Sequence, residues 1–204
     1  MRGQGYGLGW LLVVVFLIGS CTTARVDDIE EPGFLVDYSQ LTPGGEGRAA
    51  LRYVKPGVDF KKYDALMFDR VSVWLSPEAE TRDVDPAVFK IMSDYFLNAL
   101  VKAVEDGYSV VDQPGPNVIR VRAAITDVEP SNPVAKALSV DDIGTGGAKA
   151  EMELLDSMSS ERLAAAVDSR PGGKPASRDV WEDTKDAFDY WAKRFRERLD
   201  EARR

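Results

Sequence analysis

The stretch that most restricts how this chain can fold is 118–128. Ile119, Val121, Ala123 and Ile125 fall on one side of an extended backbone, and Arg120, Arg122 and Thr126 on the other. Alternation with a period of two gives a strand one face on a core and one face toward water, the usual condition of an antiparallel sheet. Residues 148–155 repeat the pattern, with Ala150, Met152 and Leu154 against Lys149, Glu151 and Glu153. A polar turn at 157–160 then leads to a further run at 163–168, so the two form a β-hairpin. Upstream, residues 65–75 carry Val71 and Val73 with few breakers, and 108–111 is a short apolar run. Both read as strands.

A sheet with one apolar face needs a cover, and two segments have helical period. Asp85-Pro86 supplies an N-cap and a proline at the first helical position. Phe89, Met92, Phe96, Leu100 and Ala103 follow at steps of three and four, and Gly107 marks the expected end. A second helix is expected from about Asp179, with Trp181, Phe188, Trp191, Phe195 and Leu199 as an aromatic stripe and charges opposite. The expected order is β-α-β-β-β-β-α. It describes an α+β domain over 51–204: a mostly antiparallel sheet of about five strands with two helices packed on one face.

The N-terminus has a different character. Arg2 is followed by the apolar run 10–18 and then Gly19-Ser20. The run has signal-peptide length and falls short of the ~20 apolar residues a spanning helix needs. Ile18-Gly19-Ser20-Cys21 resembles a bacterial lipobox: a branched residue, two small residues, then the cysteine that takes diacylglycerol. Residues 1–20 are thus expected to be a signal peptide, cut between Ser20 and Cys21, with Cys21 lipidated as the membrane anchor. Thr22 and Thr23 follow, in place of the aspartate that retains such proteins at the inner membrane. The expected location is therefore the periplasmic face of the outer membrane. Residues 21–50 are rich in acidic residues, proline and glycine and read as a tether. Within it, Phe34, Tyr38 and Leu41 recur at helical spacing, so a short turn docking on the domain is expected.

Composition narrows the chemistry. The chain has no histidine and one cysteine, which removes the commonest general base, the commonest zinc ligand and any intrachain disulfide. With 44% apolar residues a core can form without such staples. A net charge of −8 argues against nucleic acid, whose phosphates need clustered Lys and Arg.

Several segments together resemble one family. They are Gly33-Phe-Leu-Val-Asp-Tyr38, Tyr53-Val-Lys-Pro56 with Phe60 and Tyr63-Asp64, Gly107-Tyr-Ser-Val-Val111, Arg120-Val-Arg-Ala-Ala-Ile-Thr-Asp127 and Phe188-Asp-Tyr-Trp-Ala192. The chain resembles the DUF3313 lipoproteins of proteobacteria over residues 33–200. The resemblance implies location and fold but no activity. It also implies a glycine in the hairpin turn, where this chain has Ser157-Met-Ser-Ser-Glu161.

Carboxylates are the remaining catalytic candidates. Asp127 and Glu129 end a strand on one face and could bind a divalent ion or act as an acid/base pair, or simply be solvated. Asp141-Asp142 reads as a wet acidic pair. Gly144-Thr-Gly-Gly147 lacks the Gly-Lys-Ser/Thr ending and the following helix of a phosphate loop, and reads as a turn. No Gly-x-Ser-x-Gly elbow occurs. The basic helix end, Lys193 to Arg204, could meet anionic lipid or envelope polymer. The leading expectation is a non-enzymatic envelope lipoprotein that binds a periplasmic protein or envelope polymer, without metal or cofactor. A small-ligand module with a pocket beside the 129–147 loop, and a carboxylate hydrolase, are the alternatives.

Overall fold

A computed structural model describes residues 31–75, 79, 84–132, 146–173 and 179–204. The expected signal peptide, Ser20 and Cys21 lie outside the described residues, as do Asp141, Asp142, Gly144 and Thr145. In chain order the elements are β1 (Thr42–Pro43), β2 (Leu51–Val54), a 3-10 turn (Phe60–Lys62), β3 (Ala65–Phe68), β4 (Ser72–Val73), α1 (Pro86–Val104), β5 (Ser109–Val110), β6 (Val118–Glu129), β7 (Gly147–Asp156), β8 (Arg162–Pro171) and α2 (Glu182–Ala202).

The fold is α+β, with both helices on one side of a mixed sheet. Its strand order is β1-β2-β8-β7-β6-β3-β5, and β4 also pairs with β6. The expectation of about five antiparallel strands needs two corrections. First, eight strands are present among the described residues: β1 and β2 precede the expected ones and are too short to show alternation, and the expected strand over 65–75 is broken into β3 and β4, while β5 falls within the expected run 108–111. Second, β3 runs parallel to β5 and β6, and β4 runs parallel to β6. Helix α1 lies between β3 and β5 in the chain, and a crossover of that length is what a parallel pair requires.

Local chemistry fixes both helices. The Asp85 carboxylate accepts from Ala87 N at 2.8 Å, with Pro86 in the first turn. Gly107 is not a left-handed cap. The helix closes at Glu105, and a Cβ on Gly107 would come within 2.5 Å of the Arg196 guanidinium, so the glycine makes room for α2. The start of α2 is held from outside: Asp179 accepts from Trp181 N at 2.9 Å and pairs with Lys185.

One apolar layer joins these parts. Phe89, Met92, Phe96 and Leu100 of α1 and Phe188, Trp191, Phe195 and Leu199 of α2 pack on Ile119, Val121, Ala123 and Ile125 of β6. Phe96 and Phe188 stack with centroids 4.6 Å apart. After Ile125 the register of β6 against β7 shifts by one residue, so Ile125 faces Ala150 and Asp127 faces Lys149. Thr126 is the extra residue of this bulge. The shift turns Val128 onto the helix side, where it joins the core.

The hairpin turn has no glycine. Asp156 accepts from the backbone N–H of Ser159 at 2.9 Å and of Met158 at 3.1 Å, and the Tyr63 hydroxyl donates to it at 2.8 Å. These donors, Ser159 N–H foremost, lower the Asp156 carboxyl to about 2. Ser160 occupies the left-handed region at φ 59°, the position glycine would otherwise take.

Phe188 is fully buried and anchors α2 to α1. Phe188→Ala is expected to cost about 3–5 kcal/mol of stability. Equilibrium urea unfolding checks this, and a loss below about 1 kcal/mol would mean that the site collapses around the smaller side chain.

Candidate functional site

The helix layer is narrower than the sheet. Helices α1 and α2 cover β6 and β7, while β8 and β2 extend beyond α2. On β8 the residues facing the helices, Ala164 and Ala166, are half-buried, whereas Ala165 and Val167 on the opposite face are buried. A groove of about 390 Å³ lies in this gap. Its floor is Ala150, Met152 and Leu154 of β7 with Ala164 and Ala166 of β8, and Trp191 and Phe195 of α2 form one wall. Arg52 and Val54 of β2, registered opposite Ala166 and Ala164, form the other side.

The loop between β1 and β2 crosses toward α2 at this groove. The Gly47 carbonyl accepts from Arg194 and, at 2.8 Å, from Arg198. Arg48 pairs with Glu201 at 3.7 Å. Gly44 permits the tight return of the loop, since a Cβ there would stand 1.9 Å from the Ala49 carbonyl oxygen. Asp168 ties the loop to the wall: it accepts from Ala50 N at 2.9 Å and from Trp191 Nε1 at 2.8 Å. Burial raises its pKa above the usual carboxylate range.

The basic helix end is largely committed within the fold. Arg194 pairs with Glu197, Arg198 with Glu201, and Arg196 with Asp106 and Asp200. Arg52 differs: it is half-buried at the groove, and its guanidinium has no hydrogen bond or ion pair among the described residues.

The opposite face of the sheet was expected to be wet. It is covered instead by residues 33–41, which dock without becoming a helix. Phe34 and Leu35 are buried against Ala124, Ala165 and Val167, with Tyr38 and Leu41 beside them. The covering segment shields an ion-pair network. Arg120 makes a two-point contact with Asp69 at 2.8 and 2.7 Å, and Glu153 pairs with both Arg122 and Arg162. Arg162 also donates to the carbonyls of Leu35 and Asp37, and Arg122 stands over the Phe34 ring.

Tyr38 is the hub of this strap. Its hydroxyl donates to the Glu151 carboxylate, 2.9 and 2.8 Å from the two oxygens, and accepts from Gly33 N at 2.8 Å. Burial pushes the Glu151 carboxyl up to about 7, and burial beside that carboxyl pushes the Tyr38 hydroxyl up to about 12.

Asp127 and Glu129 do share the face away from the helices, but they do not line the groove. Asp127 is buried, with Lys149 Nζ at 3.8 Å, and neither Asp127 nor Glu129 is without a partner. Among the described residues no group of three or more His, Cys, Asp or Glu could hold a metal ion. No described helix is long and apolar enough to cross a membrane. The residues absent from the sequence reading are Arg52, Ala164 and Ala166. Their signal was a strand whose core-facing positions are alanines, too short to fill the space under a helix.

These features define an α+β domain with an apolar groove on one face of its sheet and a strapped ion-pair network on the other. The family model "Protein of unknown function (DUF3313)" matches residues 30–195, and the chain belongs to that family. It is 26% identical over 157 residues to the uncharacterized lipoprotein YdcL of Escherichia coli K12, covering 72% of this chain and 70% of that protein. Among solved structures it is similar to the PelC dodecamer of Paraburkholderia phytofirmans, with a TM-score of 0.43, 11% identity, and 70% of this chain and 92% of that one covered. It is also similar to a DUF330 protein of Xanthomonas campestris, with a TM-score of 0.38, 12% identity, and 72% and 93% covered.

The raised Glu151 pKa has a defined sign. The folded chain holds this proton more tightly than the unfolded chain, whose carboxyl titrates near 4.5. The resulting stability is fully present below pH 4.5 and lost as pH rises through about 7, a difference on the order of 3 kcal/mol. Glu151→Gln keeps an acceptor for Tyr38 and removes the titration. Thermal unfolding from pH 4 to 8 should show a smaller decline in Tm for the variant. Parallel curves would show that another group titrates.

Proposed function

We propose that this chain is a lipid-anchored envelope protein that acts by binding a small apolar ligand, rather than by catalysis. The observation that carries the reading is the groove: apolar on floor and wall, of a volume typical for small-molecule sites, and bordered by a few polar groups. A half-open apolar trough of this volume fits a small ligand better than a polymer, which favours the small-ligand alternative over the leading expectation. The site differs from the expected one, because it lies beside α2 and not beside the 129–147 loop.

The anchor is the other half of the proposal. The lipobox-like Ile18-Gly19-Ser20-Cys21 and the lipoprotein relative in Escherichia coli support diacylation of Cys21. Two acyl chains or more are what stable anchoring takes. Thr22 and Thr23 favour the outer membrane, periplasmic side. A domain tethered there samples the space beside the membrane while its anchor stays fixed.

A photo-crosslinking amino acid placed at Val54, on the groove, in the full chain in cells tests the binding function. The control position is Ile91, exposed on α1. Adducts with the mass of a small molecule are expected at Val54 and not at Ile91. Protein-sized adducts at Val54, or equal adducts at both positions, would overturn the reading.

A further inference from the structure

The groove also carries chemical information about its occupant, an inference that rests on the binding function proposed above. Its floor offers hydrocarbon and nothing else. The backbone of β8 is bonded on both sides, to β2 and to β7, so the strand under the trough has no free N–H or C=O to offer. An extended peptide lying there would leave its own backbone groups unpaired, at a cost of a lost hydrogen bond each. An alkyl chain has no such groups to satisfy. The trough is also long: the α2 wall runs from Tyr190 to Ala202, about 18 Å at the helical rise per residue.

Charge selects further. Arg48, Arg194 and Arg198 border the groove, but each already has a carboxylate partner, and two of them also hold the Gly47 carbonyl. Arg52 borders the same apolar floor with no hydrogen-bond or ion-pair partner among the described residues. Arg52 is half-buried, and a guanidinium held there without a counter-charge among the described residues would be met by an anionic group, its fork matching a carboxylate in two-point contact. The three acidic residues lining the groove are occupied: Asp168 by Ala50 N and Trp191 Nε1, Glu201 by Arg48 and Arg198, and Glu151 by the Tyr38 hydroxyl on the other face of the sheet. A cation without a counter-charge among the described residues, beside a half-open hydrocarbon trough, calls for one chain with one negative end.

We propose that the groove binds a long-chain fatty acid, its alkyl chain along Ala164 and Ala166 against Trp191 and Phe195, and its carboxylate on Arg52. Lengthening an alanine side chain on the floor then blocks the chain, and removing the guanidinium weakens the head without closing the trough.

The test uses the full chain in its native membrane and a fatty acid bearing a photoreactive diazirine in its chain. The same chain is supplied in parallel as the fatty alcohol and as the lysophospholipid. The acid is expected to label peptides containing β8 and α2, and to label them more strongly than the alcohol. Ala166→Trp should abolish labelling. Arg52→Ala should reduce labelling by the acid about tenfold and leave the alcohol unchanged, the effect of losing one charge-assisted contact. Arg52→Lys should restore part of it. Because the Arg52 guanidinium has no hydrogen bond or ion pair among the described residues, Arg52→Ala is expected to keep its Tm, and the test holds even where Ala166→Trp fails to fold. Equal labelling by acid and alcohol, labelling untouched by Arg52→Ala, or capture of the lysophospholipid in place of the acid would each overturn the proposal. Small-molecule adducts at Val54 alongside a silent fatty acid would remove this ligand and leave the binding function standing. Silence in both experiments would remove both.

Discussion

The Glu151 and Glu153 carboxylates leave β7 on the side away from the helices, and both are buried. Charge in that position is costly unless it is paired or neutralised. The two glutamates meet the cost differently. Glu153 sits between Arg122 and Arg162, while Glu151 receives the Tyr38 hydroxyl and holds its proton toward neutral pH. Each solution depends on residues 33–38 lying over the sheet. Arg162 spans both, since it pairs with Glu153 and holds the Leu35 and Asp37 carbonyls. Removing the strap would leave β7 with acidic side chains facing water, and Ala124, Ala165 and Val167 without the cover of Phe34 and Leu35. Segment and sheet therefore stabilise each other. Within the strap, Val36 takes φ 63° between Leu35 and Asp37, a conformation that opposes a β-branched residue and that the contacts on either side must hold in place.

The groove follows from a mismatch of widths. Two helices that stack through Phe96 and Phe188 cannot also spread to the β8–β2 side of the sheet. A bulky residue at 164 or 166 would have filled the gap, and alanine leaves it open. The loop ahead of β2 then crosses to α2 through Gly47, which encloses the trough instead of leaving a flat apolar patch.

The long elements were legible in the sequence for physical reasons. Twelve residues of β6 and ten of β7 give several cycles of a two-residue period, and the α1 and α2 stripes give several turns. What stayed hidden was short or non-local. A two-residue strand such as Ser72–Val73 has no period, and its parallel pairing with β6 depends on partners some fifty positions away in the chain. The bulge at Thr126 changes which residues face the helices, and nothing in Ile125-Thr-Asp-Val128 marks it. The strap was visible as an apolar island, but its target was not, because the buried glutamates read as a solvated face. The groove was the least legible feature. It arises from alanines that look like ordinary strand residues and from an arginine defined by the partner it lacks.

The chain path links these features mechanically. From the proposed tether the backbone first meets Trp74, whose Nε1 donates to the Pro32 carbonyl, and then the Tyr38–Glu151 contact on one face of the sheet. It reaches the sheet edge at β1, crosses to the other face at Gly47 over the groove, and then enters β2. Tension on the N-terminus is thus borne by Tyr38, Phe34 and the Arg162 contacts before it can reach Gly47. The strap would isolate the groove from the proposed anchor. A domain built this way can be held at a membrane without its binding face being distorted by the attachment, which is what a tethered binding protein requires of its first folded residues.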